Sequence, residues 1–512
     1  MALSTLDWLV YPSFILILGV IGHRLRQSRS QSLPPGPPPK PLIGNYLDVP
    51  KAEPWRKFSQ WSKLYGDLVY VNVLGNKLLI LNDMESMREL LEKRSQKYSD
   101  RASFLMANYM GIENNLSFAP YGPDWRQGRK LIHGTVNQEA VQKYHSLQED
   151  VAARFLRNLV ENPSGVMKHL HMASAHIIAS ITYGFSIDTP SNVYFDEFAE
   201  TERIVLKSVV PGAYLVDMIP QLWYLPSWVP FNSIRRTAET GRQRVSDIVH
   251  RPIEQVEQDM KQGASSASFV SDHLRNGGSD EAIRQLLPWV AWSIYEAGND
   301  TTAGTMLVFM HAMACFPEVQ ARMREEIHRV VGTDRLPTFV DRGRLPYINA
   351  AIKEVYRWNP NSPLGAPRKL QDADVYRAGY YIPKGTIVMP NVWLLSRDQD
   401  SGIDPEAFSP ERFLETHVQK TAIDPYSYAF GFGRRMCPGR FLADNSVFML
   451  VTSMLATVRI SKPKDSYGVE KLFDPPYIPA GLASFPYPFE VDIEPVSDKA
   501  VAVVKGIATS IN

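Results

Sequence analysis

The sequence contains little cysteine and has no excess of charge of either sign. Its 512 residues include two cysteines, and 55 lysines and arginines oppose 54 aspartates and glutamates. Two thiols cannot form a framework of disulfides in a chain of this length, which fits a reducing compartment. A net charge of +1 gives no overall attraction to nucleic acid, so no nucleic-acid partner is expected. The apolar content of 44% is ordinary for a globular protein and excludes a disordered one.

Nucleotide-binding motifs and internal repeats are also missing. No Walker A sequence occurs, and the glycines at 431 and 433 lack the third glycine and the downstream acid of a dinucleotide fingerprint. No low-complexity tract or long linker follows residue 41. We therefore predict one unusually large domain over 42–512, which a large central cofactor would help to hold together.

A long, mostly apolar run lies close to the N-terminus. Trp8–Gly22 is uncharged, and one histidine and three arginines follow it at 23–29. With Ala2–Leu6 the apolar stretch reaches about twenty residues, enough for a bilayer core. Basic residues after the run, rather than before it, favour an uncleaved anchor with the following chain in the cytosol over a cleaved signal peptide. We predict a transmembrane helix within 1–24; a buried core helix is the alternative.

A basic and then proline-rich segment follows at 25–41. Proline fixes φ and removes N–H donors, so Leu33–Pro41 cannot be a helix or a central strand. We predict a semi-rigid spacer between the anchor and the body.

The body has the patterns of a mainly α protein with a small β portion. Two apolar runs, Leu68–Val73 and Leu78–Leu81, predict a β-hairpin, and residues 375–393 predict further short strands. Helical periodicity covers 85–97, 138–160, 166–183, 194–208, 236–262, 280–315, 317–331 and 344–358. The last forty residues are predicted to be irregular. The longest helix is apolar on nearly every face, so we expect it to be buried, with Glu296, Asn299 and Asp300 as polar exceptions.

Cys437 lies in a glycine-rich, basic loop, Phe430–Arg440. The two glycines of this loop allow tight turning and the close approach of a planar group. Pro438 suits the start of a helix predicted at 440–457, which would place the sulfur near a helix N-terminus and favour the thiolate. A lone thiolate in an apolar pocket is a poor zinc site but a good axial ligand for haem iron.

The same loop carries a resemblance. Its pattern Phe430-x-x-Gly433-x-Arg435-x-Cys437-x-Gly439 resembles in full the haem-binding signature of cytochromes P450. The resemblance extends from the proline spacer to about residue 490. It implies the cytochrome P450 fold, a triangular helical body around a buried haem b with Cys437 as the axial iron ligand. The other four residues of the pattern, Phe430, Gly433, Arg435 and Gly439, would then bind the cofactor.

A second motif of this family is the ion-pair cluster under the haem. Glu354 and Arg357 are similar to its E-x-x-R motif, and they share a helix face because they are three residues apart. Pro410–Phe413 resembles the meander motif, whose Arg412 would complete a structural Glu–Arg–Arg cluster. Alone, such a pair would be a routine helix ion pair.

The middle of the long helix resembles the oxygen-activation motif. Ala297–Thr301 matches the pattern A/G-G-x-D/E-T, in which Gly298 would leave room for dioxygen against the helix. The acid Asp300 and the alcohol Thr301 are then the catalytic pair that passes protons to dioxygen.

Four residues are predicted to bind the haem propionates. Trp125 and Arg129 look like the family's W-x-x-x-R segment and lie one helical turn apart. Arg435 of the cysteine loop should act likewise. Arg368 stands where relatives place a further histidine or arginine donor.

A histidine cluster is a weaker candidate for a site. His169, His171 and His176 lie on one predicted helix, where residues two apart point in different directions. No thiol or acid completes a ligand set, so we do not predict a metal site there.

The resemblance implies a haem-thiolate monooxygenase of the microsomal class, single-pass in the endoplasmic reticulum membrane with a cytosolic catalytic domain. Because no NADPH motif occurs, electrons should come from NADPH–cytochrome P450 reductase, with cytochrome b5 as a second donor. The segments that the resemblance assigns to the substrate, such as 104–121 and 203–224, are apolar and aromatic, so an apolar or aromatic small molecule is expected.

The sequences of the cysteine loop and of Tyr380–Thr386 are similar to those of fungal P450s of secondary metabolism and xenobiotic oxidation, such as those near O-methylsterigmatocystin oxidoreductase. Two alternatives are an isomerase or dehydratase of the same fold that does not use O2, and a non-catalytic carrier of haem or hydrophobic molecules. The intact Asp300–Thr301 pair argues against both.

Overall fold

Helices make up most of the chain that the computed structural model describes. The described residues are 32–510 except 188–192, 211–212, 227, 229–232, 278–279, 398–401, 415–421 and 480–481. The predicted anchor at 1–24 and the start of the spacer lie outside them. Within the described ranges, no helix has both the length and the apolar character that crossing a membrane requires.

The helices agree with the predicted mainly α class. In chain order they are α1 (Pro54–Tyr65), α2 (Met84–Arg88), α3 (Leu105–Tyr109), α4 (Pro123–Val136), α5 (His145–Glu161), α6 (Val166–Tyr183), α7 (Val193–Ser208), α8 (Leu215–Met218), α9 (Ile234–Lys261), α10 (Phe269–Gly277), α11 (Glu281–Cys315), α12 (Pro317–Val331), α13 (Pro346–Trp358), α14 (Val392–Ser396), α15 (Arg440–Thr457) and α16 (Asp498–Ser510).

The small β portion contains one larger sheet and two strand pairs. The strands are β1 (Leu68–Val73), β2 (Asn76–Leu81), β3 (Asp100–Arg101), β4 (Arg368–Lys369), β5 (Asp374–Tyr376), β6 (Tyr380–Ile382), β7 (Ile387–Pro390), β8 (Val458–Ser461) and β9 (Asp492–Pro495). The larger sheet has the order β1-β2-β7-β4-β3, and β5-β6 and β8-β9 form antiparallel pairs. Only β2 and β7 pair in parallel within the larger sheet.

The predicted hairpin is confirmed, with a shorter turn than expected. Val73 pairs with Asn76, so the turn consists of Leu74 and Gly75 alone. Both turn residues have positive φ, +51° and +88°. This is the backbone that a two-residue hairpin turn requires, because its twist matches that of the strands.

The long helix α11 begins and ends close to its predicted limits. Asp280 caps it by accepting hydrogen bonds from the N–H groups of Ala282 and Ile283 at 3.0 and 3.4 Å. The helix is buried along most of its length and packs against α6, α9, α10 and α15. It therefore forms the centre of the helical body, as its all-round apolar character predicted.

The prediction of an irregular C-terminus is wrong. The last forty residues include strand β9 and helix α16, which packs on α5 with Val504 fully buried. Valine-rich sequence has modest helix propensity, so packing rather than local preference stabilises α16.

The helix predicted over 85–97 is shorter in the structure. Helix α2 is continued by a π-helical turn, Glu89–Lys93.

The described part of the proline segment lies on the larger sheet. The carbonyl of Pro35 accepts the N–H of Tyr70 in β1 at 2.8 Å, and a Cβ on Gly36 would meet the carbonyl oxygen of Tyr70 at 1.9 Å. Asn45 Nδ2 donates to the carbonyl of Pro37 at 3.1 Å. Glycine at 36 is needed for this close approach, which holds the segment against the body.

Candidate active site around Cys437

Backbone hydrogen bonds shape the loop that presents Cys437. The N–H of Cys437 donates to the carbonyl of Phe430 at 2.8 Å, and the N–H of Met436 donates to that of Gly433 at 3.0 Å. The Phe430 ring lies at 5.2 Å from Tyr356 of α13, which anchors the loop to the body. Helix α15 begins at Arg440, so Pro438 precedes the helix cap and the cysteine lies just before a helix N-terminus.

Burial dominates the electrostatics of the thiol. It raises the pKa of Cys437, while the N–H of Gly439 and the charges of Arg129 and Arg440 lower that pKa by less. The helix N-terminus therefore acts in the predicted direction, through the N–H of Gly439, but burial outweighs it. A coordinating metal ion removes the proton of a thiol outright, which is the condition under which Cys437 would become a thiolate.

The glycines of the loop serve different purposes. Gly433 has φ +51°, and a Cβ there would meet the carbonyl oxygen of Leu91 at 2.3 Å. The close approach at Gly433 is thus to the backbone of Leu91. A Cβ on Gly439 would meet nothing within 4 Å, so this is the glycine beside open space.

A cavity lies between the cysteine loop and α11. Cys437, Pro438 and Gly439 line one side of it, and Ala297 and Thr301 line the other. The remaining walls are mostly apolar and include Ile132, Val136, Ile177, Ile178, Ile294 and Leu442. A thiol therefore faces the predicted oxygen-activation segment across an apolar space.

Four arginine side chains gather next to this loop. Arg435 donates to the carbonyls of Ser99, Leu116 and Ala119 at 2.7–3.1 Å. Arg368 donates to the carbonyls of Leu91 and Phe432, Arg129 to that of Met436, and Arg101 to those of Ser117 and Ala366. Carbonyl oxygens, which carry no net charge, thus accept these hydrogen bonds.

Burial and mutual repulsion disfavour the positive charges of this arginine cluster. The pKa of Arg435 falls to about 8, chiefly through burial and then through Arg101 and Arg368. Burial lowers the pKa of Arg368 to about 9 and of Arg101 to about 10. Four buried or half-buried cations that donate to uncharged carbonyl oxygens favour a ligand that brings carboxylates to them, so these residues fit the two propionates of a haem.

Three of the four predicted propionate-binding residues belong to this cluster, and the fourth makes a different contact. Trp125 Nε1 donates to the carbonyl of Leu116 at 3.2 Å. Its ring lies under the guanidinium of Arg435, 4.3 Å from the ring centroid. The structure thus places Trp125 where it orients Arg435 by a cation–π contact.

The Glu354 cluster is buried and fully connected. Arg357 Nε and Nη2 donate to Glu354 at 2.6 and 2.8 Å, and Arg412 Nε donates to it at 3.3 Å. Arg357 also donates to the carbonyls of Ser396 and Pro405. The three side chains expose 5% of their residue surface or less, so the cluster ties α13 to the loop at 404–412 from inside the protein.

The acid and the alcohol of α11 lie on adjacent faces of the helix. Thr301 Oγ1 donates to the carbonyl of Ala297 at 2.8 Å and lines the cavity. Asp300 accepts a hydrogen bond from Asn299 Nδ2 at 3.0 Å. Gly298 lines the same cavity, and a Cβ there would meet Ile178 of α6 at 2.7 Å. Its small size therefore also permits the close packing of α11 on α6.

The three histidines of α6 have three different surroundings. His169 Nε2 contacts the carbonyl of Asn162 at 3.1 Å, and His176 Nε2 contacts Ser186 Oγ at 3.4 Å. His171 Nδ1 is 3.9 Å from Asp300 Oδ1. Their side chains do not converge on one point.

Sequence reasoning missed three residues that contact the site. Arg101 joins the arginine cluster, Asn361 Nδ2 donates to the carbonyl of Thr301 at 2.9 Å, and the Glu202 carboxyl bonds to that of Asp300. No local pattern marks any of them, because the Arg101–Ala366, Asn361–Thr301 and Glu202–Asp300 contacts join residues 60 or more positions apart.

The chain matches a known family along most of its length. The family model Cytochrome P450 matches residues 34–480. Cytochrome P450 monooxygenase claR of Ampulloclitocybe clavipes is 37% identical over 498 residues, which cover 95% of this chain and 91% of that protein. Cytochrome P450 monooxygenase COX2 of Coprinopsis cinerea is 36% identical and covers 97% of this chain and 95% of its own length.

These similarities confirm the resemblance that the cysteine loop carries, including its likeness to fungal proteins, and the enzyme class predicted from it. The mainly helical fold described above is consistent with this family. The chain therefore belongs to the cytochrome P450 family and is a monooxygenase.

Proposed function

We propose that the protein is a haem-thiolate monooxygenase that hydroxylates an apolar or aromatic small molecule with one oxygen atom of O2. The observation that carries the proposal is the apolar cavity between Cys437 and Thr301, with the arginine cluster beside it. Haem b with a thiolate ligand supplies the activation of dioxygen when it is bound.

Different side chains would bind the iron and the propionates of the haem. Cys437 would hold the iron, and Arg129, Arg368 and Arg435 would pair with the propionates, joined by Arg101. Phe430, Gly433 and Gly439 shape the loop that presents the sulfur. The mostly apolar walls would limit the water that competes with an apolar substrate.

Asp300 and Thr301 would handle the protons of the reaction. Hydroxylation consumes one O2, two electrons and two protons, and it yields one hydroxyl group on the substrate and one water. Thr301 would offer its hydroxyl to dioxygen in the cavity, and Asp300, on the neighbouring face of the helix, would return a proton to that hydroxyl.

The electrons would come from NADPH through NADPH–cytochrome P450 reductase, with cytochrome b5 as a second donor. Arg434 is exposed on the cysteine loop and offers a positive charge to an acidic partner.

We further propose that residues 1–24 anchor the protein in the endoplasmic reticulum membrane, because basic residues follow the apolar run at 8–22. Fungal secondary metabolism or xenobiotic oxidation is proposed on the similarity to fungal relatives.

The two cysteines provide a matched test. The wild type and Cys315→Ser should show a band near about 450 nm in the carbon monoxide difference spectrum of the reduced protein, because a thiolate ligand is retained. Cys437→Ser should lose this band and all hydroxylation. A wild type without the band, or a Cys437→Ser variant that keeps it, would contradict the proposal.

A further inference from the structure

Three carboxyl groups and a histidine meet where α6, α7 and α11 come together. Glu296 and Asp300 are one turn apart on α11, Glu202 comes from α7, and His171 comes from α6. Glu202 exposes 7% of its surface, and its carboxyl hydrogen-bonds to that of Asp300. His171 Nδ1 lies 3.9 Å from Asp300 Oδ1, and 27% of its side chain is exposed.

The surroundings hold a proton on this cluster at neutral pH. Burial, followed by the charges of Asp300 and Glu296, raises the pKa of Glu202 to about 10. Burial raises the pKa of Glu296 to about 7, although Asn115 opposes this with a hydrogen bond at 3.5 Å. Burial lowers the pKa of His171, and Asp300 opposes that shift. A hydrogen bond between two carboxyl groups needs a proton on one of them, and the raised pKa of Glu202 assigns that proton to Glu202.

We propose that Glu202 is the proton store of the Asp300–Thr301 relay and that His171 connects this store to solvent. This inference rests on the proposed function. Glu202 acts through Asp300, so it is a positioning residue of the relay rather than a group that touches the reactants.

The proton transfers balance over one cycle. At the start of a pass the proton is on Glu202. Its O–H bond breaks as an O–H bond forms on the Asp300 carboxylate, and Asp300 then passes this proton to the Thr301 oxygen as the Thr301 hydroxyl gives its own proton to dioxygen. Glu202 is left as a carboxylate and recovers a proton from solvent through Asp300, which His171 contacts at 3.9 Å. Two such passes supply the two protons that hydroxylation consumes, and the cluster returns to its starting charge.

The geometry favours a store over a substrate-binding role. The Glu202 side chain is bonded to Asp300, and neither residue lines the cavity, whereas Ala297 and Thr301 of α11 do. Protons can therefore reach Thr301 from the side of the helix that carries Asp300, while the cavity stays apolar.

The test replaces Glu202 by glutamine in the holoenzyme. Glu202→Gln keeps the shape and hydrogen-bonding ability of the side chain but removes its titratable proton. Infrared difference spectra of wild type minus variant near neutral pH should contain the C=O stretch of a protonated carboxyl. Turnover should fall on the order of tenfold, less than the roughly 10²–10⁴-fold of a direct general acid, and more peroxide should form per NADPH.

Two further variants separate proton storage from packing. Glu200→Gln changes an exposed acid of the same helix, paired with Arg244 at 2.7 Å, and should keep wild-type coupling and spectra. Glu202→Asp retains a titratable carboxyl and should restore part of the coupling. If Glu202→Gln does not fold, the pH titration of the band in wild type and Glu202→Asp decides: a band that persists above neutral pH supports the store.

The proposal is overturned if Glu202→Gln keeps wild-type coupling, or if the band of a protonated carboxyl is absent from the difference spectrum. Failure of the proposed function is distinguishable. It would appear as a missing carbon monoxide band near about 450 nm in the wild type, whereas the infrared band reports on Glu202 in either case.

Discussion

The Thr301 hydroxyl lies where α11 borders the cavity. Thr301 is the proposed alcohol of the relay, and its Oγ1 donates to the carbonyl of Ala297 one turn earlier. A hydroxyl has one proton to donate, so Thr301 must turn away from this carbonyl before it can donate to a ligand, while its oxygen stays able to accept. At this scale, the proposed function depends on the orientation of one side chain.

We expect Thr301→Ala to uncouple oxygen consumption from hydroxylation while the fold is retained. Product formed per NADPH should fall on the order of tenfold or more, because a positioned proton donor is removed. Thr301→Ser keeps the hydroxyl and should retain most of the coupling. Equal product per NADPH in Thr301→Ala and wild type would show that the hydroxyl does not carry protons.

At the scale of elements, one buried carboxylate joins a helix to a loop. Glu354 of α13 accepts hydrogen bonds from Arg357, from Arg412 and from the N–H of Ser409 at 2.7 Å. Removal of one partner from a buried ionic cluster leaves uncompensated charge, which is more damaging than the loss of the attraction itself.

Glu354→Gln should therefore lower the free energy of unfolding by about 3–5 kcal/mol, measured by urea denaturation of the holoenzyme. Glu490→Gln is the control, because both side chains of the Glu490–Lys471 pair are exposed, at 83% and 48%. An exposed pair should contribute only about 0–1 kcal/mol. Equal losses in the two variants would contradict the central role of the Glu354 cluster.

At the scale of the whole molecule, buried histidines make stability depend on pH. His311 of α11 is bonded to Tyr477 through Nδ1 at 2.8 Å and lies among Trp358 and Phe473. Burial lowers its pKa from 6.5 to about 4. Between pH 6.5 and pH 4, His311 is therefore protonated in the unfolded chain but neutral in the folded protein. The stability that the neutral, buried His311 contributes is lost as the pH falls from 6.5 towards 4.

We expect His311→Gln to reduce the acid sensitivity of the protein. Between pH 7 and pH 4 the wild type should lose roughly 3 kcal/mol more of its unfolding free energy than the variant. His328→Gln, at an exposed site on α12, should follow the wild type. Parallel pH curves for all three proteins would show that His311 does not control acid stability.

Local patterns were sufficient for many parts of the molecule. The hairpin and α11 were predicted because apolar period, turn residues and caps are properties of neighbouring residues. Cys437 and the Glu354–Arg357 pair were identified in the same way, since their spacing is short. The substrate, the redox partners and the anchor at 1–24 stay predictions.

Other features depend on residues that are far apart in the chain. Arg101, Arg129, Arg368 and Arg435 become one cluster only after the chain has folded, and Glu202 reaches Asp300 from almost a hundred residues away. Helix α16 likewise forms against α5. The sequence by itself determined the family and the residues predicted to carry its chemistry, because motif spacing is local. The tertiary structure alone decided how charges are buried together and where a proton is held, because burial and charge coupling depend on distances in space.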